Sequence, residues 1–132
     1  MIKIKKGLNI PISGTPEDKI ADFKNPRSIA LVGSDYHGLK PEMLVIEGEK
    51  VKIGQPLFKD KKNPGVIFSS PGGGVVESIN RGAKRALQSV VIEISDNEEE
   101  ISFLSIKTDD LSNQTQSSIR DNLIKSGLWT SF

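Results

Sequence analysis

Apolar and polar residues alternate with period two through most of this chain. Gly and Pro cut the alternation into short pieces, a pattern that predicts short strands. Ile2 and Ile4 alternate with lysines until Gly7 ends the run, and Pro11-Ile12-Ser13-Gly14-Thr15-Pro16 reads as a rigid connector. Ser28–Val32, apolar from Ile29 onward, reads as a continuous strand ended by Gly33, the pattern of a strand covered on both faces. The loop Asp35–Pro41 follows, and then strands are expected at Met43–Ile46, Val51–Gly54, Pro56–Asp60, Val66–Ser69, Val75–Ile79 and Ser89–Ile94. Asn63-Pro64-Gly65 is a turn, because a fixed φ is followed by a permissive glycine. Pro71-Gly72-Gly73-Gly74 is a tight corner, Asn80–Arg85 a loop, and Ile101–Ile106 a weaker strand after the acidic turn Asp96–Glu100.

The period changes near the end. Thr115–Lys125 has helical spacing, with Ile119, Leu123 and Ile124 on one side, and Ser126-Gly127 stops it. An apolar terminus follows, containing Leu128, Trp129 and Phe132. Residues 1–108 are therefore expected to form one β-rich domain, and residues 109–132 a helical segment leading into a further domain.

Two segments echo each other without gaps. Val45–Phe58 aligns with Ile79–Ile92, so that Gly48 falls on Gly82, Lys50 on Lys84, Ile53 on Leu87 and Leu57-Phe58 on Val91-Ile92. Two such units facing each other make a small sandwich, each covering the apolar face of the other. The phrase Glu47-Gly48-Glu49-Lys50-Val51-Lys52-Ile53-Gly54-Gln55-Pro56-Leu57, followed by Ser70-Pro71-Gly72-Gly73-Gly74-Val75-Val76, resembles the biotinyl/lipoyl-type module, a barrel-sandwich hybrid with a quasi-two-fold repeat. Such modules carry biotin or lipoate on a hairpin lysine, and Lys61 and Lys62 sit near that hairpin. The lysines come too soon after Gly54, however, and Asn63-Pro64-Gly65 takes the tip. They read as solvated turn lysines rather than as attachment points.

Composition removes further chemistry. The 132 residues are 36% hydrophobic and 27% charged, ordinary for a globular domain. With 18 basic and 17 acidic side chains the formal net charge is +1, so no global field attracts nucleic acid or an anionic membrane. The absence of cysteine excludes disulfides, thiolate metal sites and thiol nucleophiles. His37 is the one histidine, without the clustered carboxylates of a metal site or the partners of a triad. Ser69-Ser70 has no base in a recognisable motif. Gly72-Gly73-Gly74 precedes a strand, whereas phosphate loops open a helix. Asp96–Glu100 lacks calcium-loop spacing. No apolar run is long enough for a membrane span. What remains is the basic loop of Arg81, Lys84 and Arg85, which with Lys61 and Lys62 is expected to dock a partner.

A more specific likeness spans nearly the whole chain. Lys5–Gly14, Asp35–Pro41, Gly54–Gly65, Asn80–Arg85 with Gln88-Ser89-Val90-Val91, and Gly127-Leu128-Trp129-Thr130 resemble the family of A-type subunits of the Na+-translocating NADH:quinone oxidoreductase. The resemblance implies a component of a bacterial membrane complex that oxidises NADH, reduces ubiquinone and exports Na+. It implies a cytoplasmic position, peripheral to the inner face of the membrane and held there by other subunits. It also implies no cofactor in this chain; NADH, ubiquinone and flavins are handled by the whole complex. Ubiquinone is a candidate ligand with no residue assigned to it, and Trp129 and Phe132 are expected to face a further domain. Members of the family are several times longer, so this chain alone is expected to be non-catalytic, a scaffold or docking module. The alternatives are a biotinyl or lipoyl carrier domain, a fragment of the C-type subunit of the Rnf electron-transport complexes, and an independent quinone-binding protein.

Overall fold

The computed structural model describes residues 3, 7, 13–21 and 26–131. The strand expected at Ile2 and Ile4, the start of the connector at Pro11 and Ile12, and Phe132 lie outside the described residues. Seven strands and one α-helix follow in chain order: β1 Ser28–Val32, β2 Pro41–Met43, β3 Lys50–Val51, β4 Pro56–Asp60, β5 Ile67–Ser69, β6 Gly74–Arg81, β7 Leu87–Ile94 and α1 Gln116–Lys125. They form two antiparallel sheets, one ordered β1-β7-β6-β3 and the other β2-β4-β5.

Alternating residues from both sheets meet in one core. Leu57, Phe58, Val76, Val90 and Ile92 have no exposed surface, and Val45, Val51 and Leu87 are also buried. Both sequence copies thus feed a shared interior, as the echo predicts, although their strands are distributed unequally. The first copy gives β3 to one sheet and β4 to the other, whereas the second forms the end of β6 and most of β7 in a single sheet. The turn glycines differ accordingly, with φ +82° at Gly48 and −97° at Gly82.

Three expectations need correction. Strand β1 is not covered on both faces: among the described residues it ends its sheet, Ala30 is exposed, and Val32 keeps 40% of its surface in water. Only one face is covered: Ile29 and Leu31 turn toward the core, while Ser28, Ala30 and Val32 face water. The strand expected at Met43–Ile46 lies earlier, at Pro41–Met43. After it Val45 turns into the core, while Ile46 is 72% exposed and donates its N–H to Glu49 Oε2 at 3.0 Å, closing the turn before β3. The strand expected at Ile101–Ile106 does not form; a single bridge joins Ile53 to Glu100. Instead the Phe103 ring occupies the space over Gly54, where a Cβ would lie 2.9 Å from its Cε2.

The carboxyl-terminal segment straps the smaller sheet. Thr115 Oγ1 caps α1 by accepting from the Ser118 N–H at 3.2 Å, and Gly127 ends the helix region at φ +77°. Ile124 packs over Gly65, and Asn122 Nδ2 donates to the Leu104 carbonyl at 3.0 Å. Trp129 lies under the Arg120 guanidinium, 5.2 Å from ring centroid to Cζ. Among the described residues no helix is long and apolar enough to cross a membrane.

Candidate functional site at the basic end of the sandwich

Strand direction decides which loops share an end. Strand β1 runs antiparallel to β7 with Val32 opposite Ser89, and β6 ends with Arg81 opposite Leu87. The loop leaving β1 is seated on that end, because Gly33 packs directly against the Leu87 carbonyl. It leads to β2, where Pro41 pairs with Asp60 at the end of β4. The two hairpin tips singled out in the sequence, 61–65 and 81–85, therefore lie at the same end, with the loop 33–40 between them.

Asp60 organises the first tip. Its Oδ1 accepts the N–H groups of Lys40 at 3.1 Å and Lys62 at 3.0 Å, and its Oδ2 accepts from Asn63 Nδ2 at 2.6 Å. The Lys62 N–H, the Asn63 amide and the Lys40 N–H together hold its carboxyl below the usual aspartate range against the opposing effect of burial. The turn beyond it is closed by the Val66 N–H on the Asn63 carbonyl, with Gly65 at φ +88°, as Asn-Pro-Gly demands. Lys61 donates its N–H to the Lys40 carbonyl, and Lys62 Nζ reaches the Gly38 carbonyl at 2.9 Å. A carboxylate with a depressed folded pKa adds stability that is present above its unfolded value, 3.8, and lost as pH falls through the folded value. Asp60→Asn is thus expected to flatten the fall of Tm with acidification below about pH 4. Parallel pH–Tm curves for the two proteins would contradict this.

The second tip is strained. Lys84 and Arg85 hold φ of +54° and +61°, values that side chains other than glycine rarely adopt. Arg81 Nη1 braces the turn by donating to the Arg85 carbonyl at 3.3 Å. Lys61, Lys62, Arg81, Lys84 and Arg85 are all exposed, and none forms an ion pair among the described residues.

Between the tips, Tyr36 stacks outward from the core. Its ring centroid lies 4.3 Å from that of Phe68, which lies 4.8 Å from Phe58. Burial and the neighbouring Asp35 carboxylate push the Tyr36 phenol upward. Tyr36, His37, Asn63, Phe68 and Trp129 line a cleft of about 510 Å³. The opposite end of the sandwich carries both signs: Asp96, Glu98, Glu99 and Glu100 are exposed where β7 ends, beside exposed Lys50 and Lys52, with Glu98 Oε2 accepting the Gly73 N–H at 2.6 Å and Glu99 paired to Lys52. Among the described residues no three His, Cys, Asp or Glu side chains gather as a metal-binding group.

Residues 2–95 match the NqrA N-terminal barrel-sandwich hybrid domain. The chain belongs to this family. Similar curated proteins are named as the A-type subunit of the Na(+)-translocating NADH-quinone reductase: those of Pseudomonas aeruginosa strain UCBPP-PA14, at 54% identity, Pasteurella multocida, at 55%, and Neisseria meningitidis serogroup B, at 52%. Each alignment covers 98% of this chain and 29% of the relative. The chain therefore spans under a third of the length of these relatives. The NqrA match ends one residue beyond β7, so the two basic tips, Asp60 and the Tyr36 loop all fall within it. Asp60, the organiser, is missing from the residues singled out in the sequence; its bonds to Lys62 and Asn63 are local and an Asp opening a turn is the signal that could have found them, whereas Lys40 lies 20 residues away and is brought near only by the β2–β4 register.

Proposed function

We propose that this chain is the amino-terminal portion of the A-type subunit of a Na+-translocating NADH:ubiquinone reductase, and that it serves that complex as a docking scaffold. Its partners are the other subunits, with ubiquinone as the small molecule the complex reduces. NADH and flavins belong to the whole complex, and this chain holds no cofactor of its own. Its place is the cytoplasmic face of the membrane, held there through partner subunits. The family match and the relatives' shared name support the assignment to the complex. The observation that carries the docking role is the gathering of Lys61, Lys62, Arg81, Lys84 and Arg85 at one end, exposed and without ion-pair partners among the described residues.

Docking through exposed charge acts on encounter rate and register, and salt weakens it. The test is capture of detergent-solubilised membrane subunits of the reductase on immobilised chain. Wild type is expected to retain them, and replacement of Arg81, Lys84 and Arg85 by Glu to reduce capture at least about tenfold. Undiminished capture by the reversed protein would remove the basic end as the docking surface.

A further inference from the structure

The basic end carries more than charge. A second depression of about 600 Å³, which shares Tyr36, His37 and Leu39 with the cleft, is bounded by Val32, Gly33 and Leu39 on one wall and Ala86, Leu87 and Gln88 on the other. Its lining is mainly apolar and its mouth is open; Lys84 and Arg85 directly precede Ala86 on one wall, and Lys62 Nζ reaches the carbonyl of Gly38 on the other. We propose that this groove receives an extended, acidic polypeptide segment of a neighbouring protein of the complex. An apolar side chain of that segment would seat between Leu39 and Ala86, and its carboxylates would meet Lys84 and Arg85. The inference rests on the docking role proposed above and names the partner's chemistry.

Three observations favour this occupant. Strand direction gathers Lys61, Lys62, Arg81, Lys84 and Arg85 at one end, so a chain of net charge +1 still presents a basic end to an acidic partner. The surface there is concave and partly apolar, which suits a segment with an anchoring side chain; a plane of lipid headgroups would meet the rims and leave the groove unfilled. The turn also keeps Lys84 and Arg85 in a backbone conformation that glycine would adopt without strain. A side chain held against its backbone preference points to work done by that side chain.

That last point gives a test in which loss of fold cannot imitate loss of binding. Replacing Lys84 and Arg85 together by Gly relieves both positive φ angles while deleting both charges, so Tm is expected to hold or rise as binding falls. Ala86→Trp fills the groove and leaves every charge in place; Ala86 is exposed and extended, with φ −60° and ψ 135°. The probes are a fluorescent peptide alternating Leu and Glu, and vesicles of phosphatidylcholine with phosphatidylglycerol. Saturable, salt-sensitive peptide binding is expected, weakened about tenfold or more by each variant, with no retention on vesicles. Equal binding by Ala86→Trp overturns the groove, and vesicle binding without peptide binding reassigns the basic end to lipid. Peptide binding by a chain that captures none of the reductase's membrane subunits would overturn the assignment to the complex and leave the groove standing.

Discussion

Phe58→Ala is expected to lower the unfolding free energy by about 3–5 kcal/mol, the range for deleting a buried aromatic ring. Phe58 has no exposed surface and sits where the two sheets meet, paired across strands with Met43 on one side and Phe68 on the other. Its ring stacks on Phe68 at 4.8 Å and meets the edge of Tyr36 at 6.1 Å, contacts that each add about 0.5–1.5 kcal/mol beyond area burial. Domains of this kind hold about 5–15 kcal/mol in total, so the loss would be a large share of the whole. Ile46→Ala is the matched control: with 72% of its surface in water it should change stability by no more than about 0.5 kcal/mol. Urea unfolding reads both as a shift in midpoint at unchanged slope. A cost under about 1 kcal/mol for the Phe58 variant would mean that the sheets do not close on this ring. The effect should reach the functional end, since Tyr36 loses one of its two aromatic neighbours and with it the support of the cleft wall.

The sequence told most where local chemistry alone decides. Asn63-Pro64-Gly65 closes its turn from its own residues, Thr115 caps the helix from its own neighbourhood, and Pro56–Asp60 is a strand bounded by turns on both sides. Failures came where a distant partner decides. Ile101, Phe103 and Ile106 carry the pattern of a strand but pair with neither sheet; Phe103 instead fills the space left by the missing side chain of Gly54, nearly fifty residues earlier. The Ser28–Val32 run gives no sign that one of its faces stays open, because burial depends on what lies across the sheet. The candidate site was half visible. Its lysines and arginines stand out as runs, while a net charge of +1 conceals that the basic and acidic runs lie at opposite ends. Only strand direction reveals the separation, by setting Arg81 beside Leu87 and Gly74 beside Ile94.

Gly33→Ala should damage that end more than any other single methyl group added to the loop 33–40. A Cβ on Gly33 would lie 2.1 Å from the Leu87 carbonyl oxygen and 2.8 Å from its carbon. These are main-chain atoms at the first residue of β7, so no side-chain rotation can yield, and either the loop or the strand must move. Overpacking of this kind costs about 1–3 kcal/mol, and backbone contact places this site at the upper end. Gly48→Ala separates crowding from backbone strain: nothing lies within 4 Å of its Cβ, but φ is +82°, so its cost of about 1–2 kcal/mol comes from conformation alone and falls on the turn before β3. The two variants are expected to differ in where they loosen the protein. Amide exchange should speed up at Ala86–Ser89 and Tyr36–Leu39 in Gly33→Ala, with capture of the membrane subunits reduced, and at Glu49–Val51 in Gly48→Ala, with capture intact. Because Gly33 carries no charge and touches neither basic tip, reduced capture would trace to the seating of the loop on β7. Unchanged exchange and capture in Gly33→Ala would show that the loop does not rest on Leu87, and the joining of the two tips into one surface would fail with it.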